Sequence, residues 1–251
     1  MEPYALPSQI YAAGLVFVRV ASVVMLLPGI SESWVPPRVR LGLALLLALA
    51  LGPIAAASLP HTPTTVGEMG GQVIHELLIG LMLGALIRLF MSALAVAGEV
   101  ISLQTTLSFA QTANPIQAQP GGAITSFLST LGMVLIFATN THYLFIAAIA
   151  RSYTMFAPGK HLMVQDAAVV VLQEVMTIFS IGVQMAAPLM VFALVFNVAL
   201  GLVGRVMPQF QVFFAGTPLT LIAGLSIFGM SLGTAMLIWL DRFRDFMRIF
   251  T

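Results

Sequence analysis

Long apolar segments constrain the fold of this chain more than any other feature. Six runs lie at residues 10–27, 41–59, about 73–97, 124–150, 168–203 and 212–240. Each is long enough for the roughly 20 residues with which an α-helix crosses a bilayer. Only 8% of the residues are charged and 59% are hydrophobic, whereas soluble domains carry about 25% charged residues. The sequence therefore predicts an all-α membrane protein.

Prolines predict where these helices are interrupted. Most of them lie in the connectors between the runs, where they break helices, but Pro53, Pro188 and Pro218 lie inside runs. A proline inside a helix removes one backbone hydrogen bond and kinks or breaks the helix. We therefore expect kinked and broken helices arranged as hairpins.

Basic residues in the connectors indicate the orientation of the helices. They form three clusters: Arg38 with Arg40, Arg151 with Lys160, and Arg242, Arg244 and Arg248. If all six runs crossed the membrane in turn, the first cluster would face the side opposite to the other two, against the positive-inside rule. Two explanations remain open. Either the third run is a hairpin or re-entrant element, or much of the chain is buried against other subunits and does not lie in lipid as ordinary spans.

Charged side chains within or beside the runs are costly in lipid and are expected to face protein or water. They are Arg19, Glu76, Arg88, Glu99 and Glu174. A proton or ion relay is one interpretation, and ion pairing or subunit assembly is the other. Pairing is favoured over a relay because the runs contain no closely spaced pair or triplet of carboxylates.

Several functional classes are excluded or disfavoured by what the sequence lacks. It contains no cysteine and no GxxxxGK[ST] motif, and its histidines at 61, 75, 142 and 161 do not have metal-ligand spacing. The basic residues form no patch for nucleic acid. We therefore expect no cofactor, no metal site and no nucleic-acid partner.

A neutral polar stretch separates the third and fourth runs. Residues 98–122 hold one charge, Glu99, and are rich in Gln, Thr, Ser and Asn, which unpartnered in hydrocarbon would be unfavourable. This composition indicates a polar lining. Its most informative residues are Gln104, Thr105, Thr106, Leu107, Ser108, Phe109, Asn114 and Pro115.

These residues and two other regions resemble the FliR family of flagellar type III export-gate proteins, whose counterpart in virulence injectisomes is the SctT family. The central pattern matches at Gly98, Glu99, Leu103, Gln104, Leu107, Ser108, Phe109, Asn114 and Pro115. The N-terminal pattern is similar at Arg19, Pro28, residues 35–40 and Pro53. A C-terminal signature turn is similar at Asn197, Gly201, Arg205, Pro208 and Gln209.

This resemblance implies a non-enzymatic subunit of the flagellar export gate, located in the bacterial inner membrane at the flagellar basal body. It implies assembly with FliP-like and FliQ-like subunits, with FlhB and FlhA nearby, and unfolded flagellar proteins as substrates. Residues 1–167 resemble FliP and include a pore loop at 98–122 that helps to plug the channel. Residues 168–251 resemble the FliQ helical hairpin, followed by a cytoplasmic tail.

Three other functions remain open at this point. One is the same role in a virulence secretion system, and another is a purely structural membrane scaffold. The third is a secondary transporter of small solutes, for which inverted repeats of similar length would be expected.

Overall fold

The computed structural model describes residues 5–56, 63–105, 122–157, 164–207, 209 and 212–250. Within these ranges the chain forms seven α-helices and no β-strand. They are α1 (Ala5–Val24), α2 (Pro37–Ala56), α3 (Val66–Gln104), α4 (Gly122–Ala138), α5 (Tyr143–Met155), α6 (Val164–Val206) and α7 (Val212–Arg248). The prediction of an all-α protein is confirmed for the part of the chain that the structure describes.

Local sequence signals account for several helix boundaries. α2 begins at Pro37, and proline suits the first helical position because its missing N–H needs no partner there. At the start of α3, the backbone N–H of Glu68 donates to Thr65 Oγ1 at 3.2 Å, and the Glu68 carboxylate accepts from the Thr64 N–H at 3.0 Å. Such caps satisfy the free N–H groups at a helix start.

Four helices are long and apolar enough to cross a membrane. These segments are Pro37–Ala55, Val66–Gln104, Val171–Val206 and Gly216–Arg248. The bent pair of α4 and α5 would be a fifth if the two helices form one broken span, and the first apolar run forms the shorter helical segment Ser8–Val24. The described chain therefore has four or five candidate spans, where the sequence suggested six apolar runs.

The structure corrects the predicted position of the irregular span. The third run, proposed as a hairpin or re-entrant element, is one continuous helix of 39 residues. The fourth run is bent instead, by 76° between α4 and α5. The bend lies near Asn140, whose φ of 59° is left-handed, and asparagine tolerates this conformation better than most residues. If the bent pair is re-entrant, it places the three basic clusters on one side equally well.

The prolines inside helices do not end them. Pro53, Pro188 and Pro218 lie within α2, α6 and α7, which continue on both sides of each proline. The bend near Asn140 contains no proline. A broken helix is present, as expected, but it lies at the turn of Asn140 and not at one of the three prolines from which it was predicted.

The chain divides into two compact units that are interleaved along the sequence. The first comprises Met1–Phe90, Phe137–Glu174 and Arg244–Thr251, and the second comprises Met91–Ile136 and Val175–Phe243. Each unit therefore takes residues from both of the predicted parts, 1–167 and 168–251.

Each unit has its own apolar core. In the first, α1 packs against α2, and Phe90 stacks on Phe246 with 5.2 Å between ring centroids. In the second, a Cβ added at Gly132 would lie 2.3 Å from Leu94 Cδ1, and one added at Gly182 would lie 2.7 Å from Val96 Cγ1. Glycines on α4 and α6 therefore allow close packing against α3.

Candidate functional site: a buried ion pair and the base of the polar segment

Arg19 on α1 and Glu76 on α3 form a buried ion pair. Arg19 Nε lies 2.6 Å from Glu76 Oε2, and Arg19 Nη2 lies 2.9 Å from Glu76 Oε1. Their side chains are 0% and 1% exposed. This two-point geometry is the strong form of an arginine–carboxylate contact. Two charges that the sequence left without partners are thus joined within the chain.

The remaining donors of Arg19 bind the C-terminal end of α5. Arg19 Nη1 donates to the Ser152 carbonyl at 3.0 Å and to Ser152 Oγ at 3.2 Å, and Nη2 donates to the Phe156 carbonyl at 3.0 Å. The guanidinium also lies 4.3 Å from the centre of the Tyr153 ring. Helix C-termini carry partial negative charge and favour a cation. One arginine therefore joins α1, α3 and α5.

Beside this ion pair, α3 packs closely against α1 and the residues that follow it. A Cβ added at Gly80 would lie 2.5 Å from the Arg19 carbonyl oxygen and 2.6 Å from Ser22 Cβ, and one at Gly84 would lie 2.8 Å from Leu26 Cβ. The Gly80–Gly84 spacing is thus a helix-packing face within the chain. Among the described residues, the similar pair Gly229 and Gly233 on α7 has no such neighbour within 4 Å.

The helix α3 extends seven residues into the segment predicted as a pore loop, from Gly98 to Gln104. A Cβ at Gly98 would lie 2.5 Å from Thr125 Cα on α4, and Thr125 Oγ1 donates to Glu99 Oε1 at 3.1 Å. The last turns of α3 and the first turn of α4 therefore lie side by side.

Thr105 follows the end of α3 and is completely buried. Its Oγ1 donates to the Ile101 carbonyl at 2.9 Å, and a Cβ added at Gly224 on α7 would lie 2.8 Å from Thr105 Cγ2. Gly122 begins α4 with a left-handed φ of 71°, which favours glycine. We call Gly98, Glu99, Thr105, Thr125 and Gly224 the loop base.

The structure reaches only part of the predicted pore-loop set. Gln104 and Thr105 are described, and six other residues lie outside the described ranges: Thr106, Leu107, Ser108, Phe109, Asn114 and Pro115. Sequence reasoning did not single out Thr125 or Gly224. For Gly224 no local signal exists, since its partner Thr105 is distant in the chain and the contact depends on helix packing.

The other predicted charged residues differ in their surroundings. Glu174 on α6 is buried, and its Oε1 has no hydrogen-bond partner in the described part of the protein. Arg88 and Glu99 on α3 are exposed. The five charges thus do not form one cluster: two are paired with each other, and the others are separate.

The predicted C-terminal signature turn lies at an exposed surface. Asn197, Gly201 and Arg205 are exposed residues of α6, and Gln209 is exposed in the connector to α7. Pro208 lies outside the described residues. No groups of three or more His, Cys, Asp or Glu that could hold a metal ion occur in the described ranges.

An all-helical chain with four or five candidate spans and a buried ion pair between helices defines a polytopic membrane protein. Comparison with known families makes the class specific, because residues 10–246 match the family described as "Bacterial export proteins, family 1". The chain belongs to this family, that of the flagellar biosynthetic protein FliR, a non-enzymatic family of transport proteins.

Curated relatives support this membership over the whole chain. "Flagellar biosynthetic protein FliR" of Caulobacter vibrioides is 51% identical over 251 residues, 100% of both chains. The protein of the same name from Escherichia coli is 31% identical over 212 residues, 84% of this chain and 80% of its own. That from Aquifex aeolicus is 30% identical over 236 residues, 94% of this chain and 91% of its own.

Proposed function

We propose that this protein is a subunit of the flagellar type III export gate in the bacterial inner membrane, at the basal body. It forms part of the channel through which unfolded flagellar proteins leave the cytoplasm. Its immediate partners are FliP-like and FliQ-like subunits, with FlhB and FlhA in the surrounding apparatus. The flagellar form of this role is favoured over the injectisome form because the full-length relative is a flagellar protein.

The loop base is the observation that supports a plug most directly. The contacts of Thr125 with Gly98 and Glu99 fix the start of α4 beside the end of α3, and the contact of Thr105 with Gly224 fixes the end of α3 against α7. Residues 106–121 connect these two ends and contain no charged side chain. A neutral segment with both ends held by packed helices is suited to closing a channel.

The chemistry of this segment fits passage of unfolded chains. Amides and hydroxyls, such as those of Ser108 and Asn114, hydrogen-bond to any polypeptide backbone, and they hold no charge that would trap a substrate. The side chains of Leu107 and Phe109 provide the apolar volume that closes a narrow passage at rest. Energy for export is supplied by other components of the apparatus.

The remaining functional residues stabilise the gate subunit. Arg19 and Glu76 hold three helices of the FliP-like part together, while the signature turn from Asn197 to Gln209 offers exposed polar groups to a neighbouring subunit. The FliQ-like hairpin, residues 168–251, follows the FliP-like part, residues 1–167.

Deletion of residues 106–114 tests the plug. The deletion begins at Thr106 because Thr105 is buried against Gly224. We expect the complex to assemble and to leak ions, measured as ion flux and growth beside wild type. A nine-residue Gly-Ser replacement of the same segment is the matched control for chain length, and it should leak less than the deletion. Normal flux with full recovery of the complex would refute the plug.

Co-purification tests membership in the gate. A tagged full-length chain expressed with the other gate genes should bring down FliP-like and FliQ-like subunits in detergent. Recovery of the chain with neither of these subunits would refute the proposed function.

A further inference from the structure

One face of α3 is exposed although the helix is strongly apolar. Between residues 74 and 88 the exposed positions are Ile74, Leu77, Leu78, Leu81, Ala85 and Arg88, which we call the α3 stripe. At 100° per residue these six positions fall within about 100° of the helix circumference. Buried residues such as Ile79 and Leu83 occupy other directions. The stripe is therefore a continuous surface.

Arg88 is the only charged member of the α3 stripe. Within the described part of the chain it has no hydrogen bond or ion pair, in contrast to Arg19, whose guanidinium is fully partnered there. Lipid tails offer no acceptor to a guanidinium, and arginines within membrane helices generally face protein or water for this reason. The described residues supply no acceptor for Arg88.

The position of Arg88 along α3 makes it difficult to keep outside the hydrocarbon region. A span needs roughly 20 residues, and only 16 residues of α3 follow Arg88, since the helix ends at Gln104. A 20-residue segment that ends before Arg88 starts at Glu68 or earlier, and it therefore contains both Glu68 and Glu76. The 20-residue segments of α3 that hold the fewest charged residues therefore include Arg88.

From these observations we propose that the α3 stripe binds a helix of the FliP-like neighbour that presents an Asp or Glu side chain to Arg88. A carboxylate is the acceptor that matches the planar guanidinium with two parallel hydrogen bonds. Leu77 and Leu81 supply apolar contact, and the small side chain of Ala85 allows a close approach beside the ion pair. The inference rests on the proposed function, because it names the partner within the same gate.

Arg88→Glu and Arg88→Leu test the ion pair. With equal amounts of tagged chain in the membrane, we expect recovery of the FliP-like subunit to fall at least about tenfold for Arg88→Glu and severalfold for Arg88→Leu. Arg242→Glu is the matched control, since Arg242 is also an exposed helical arginine, and its recovery should equal wild type. If Arg88 instead bound a lipid phosphate, Arg88→Leu would recover the subunit fully, and this result would overturn the proposal.

A photo-crosslinking residue at Ala85 tests the same contact without changing Arg88. Adducts with the FliP-like subunit are expected, and adducts confined to lipid would overturn the proposal. Second-site changes that restore motility to Arg88→Glu should replace a partner carboxylate by Lys or a neutral residue. Suppressors found only within this chain would count against it.

These outcomes separate the inference from the proposed function. If the wild-type chain does not recover the FliP-like subunit, both fail. If wild type and both Arg88 variants recover it equally, only the assignment of the α3 stripe fails.

Discussion

Glu76→Gln is the most informative test of the helix junction, because it removes one charge with almost no change in shape. The amide accepts at most one of the two hydrogen bonds from Arg19, and its NH₂ group faces a guanidinium that has no acceptor. The positive charge of Arg19 then remains buried without a counter-charge, since the side chain is 0% exposed. Breaking a buried pair in this way costs about 3–5 kcal/mol.

The contacts of Arg19 with α5 place the expected loss of stability at the lower end of this range. The Ser152 and Phe156 carbonyls still accept from Arg19 after the substitution, at 3.0 Å each. They compensate part of the charge, so we expect a loss of about 3 kcal/mol. For a chain of this size, that corresponds to a decrease in Tm of roughly 6–12 °C.

The assay is thermal unfolding of the purified gate complex in detergent, with unfolding of this chain followed separately. Asp245→Asn is the matched control, because Asp245 pairs with Arg248 at 3.3 Å on an exposed surface. Surface pairs contribute about 0–1 kcal/mol. Equal Tm values for Glu76→Gln and Asp245→Asn would refute the reasoning.

Two further predictions concern helix packing and the loop base. Gly80→Ala should lower the free energy of unfolding by about 1–3 kcal/mol, because its Cβ would collide with the α1 backbone. Gly229→Ala should leave the Tm unchanged, because no described atom lies within 4 Å of a Cβ added there. Equal melting of the two variants would contradict this. Thr105→Asp should reduce recovery of folded chain, because it places a charge in a buried site. Thr106→Asp should instead slow secretion by an assembled gate, because it places a charge in a narrow passage where Coulomb interactions are less screened; unchanged secretion from a fully recovered complex would contradict this.

The loop boundary shows how far sequence reasoning reached at the candidate site. Composition identified the polar segment, since neutral polar residues between two apolar runs are unusual. It did not show that α3 continues to Gln104 or that Thr105 is buried. Those facts depend on α4 and α7, which come later in the chain and cover the end of α3.

The sequence by itself determined the all-helical class, the apolar segments and the family, because these depend on local composition and on short motifs. It also identified Arg19 and Glu76 as charges that needed a partner, since charge in an apolar helix is unfavourable wherever the helix lies. Only the tertiary structure decided that these two residues pair with each other, 57 positions apart. It also decided that the fourth run is bent instead of the third, and that Arg88 is left exposed. Pairing and exposure depend on which helix faces are covered, and this is a property of the packed chain that no local sequence pattern contains.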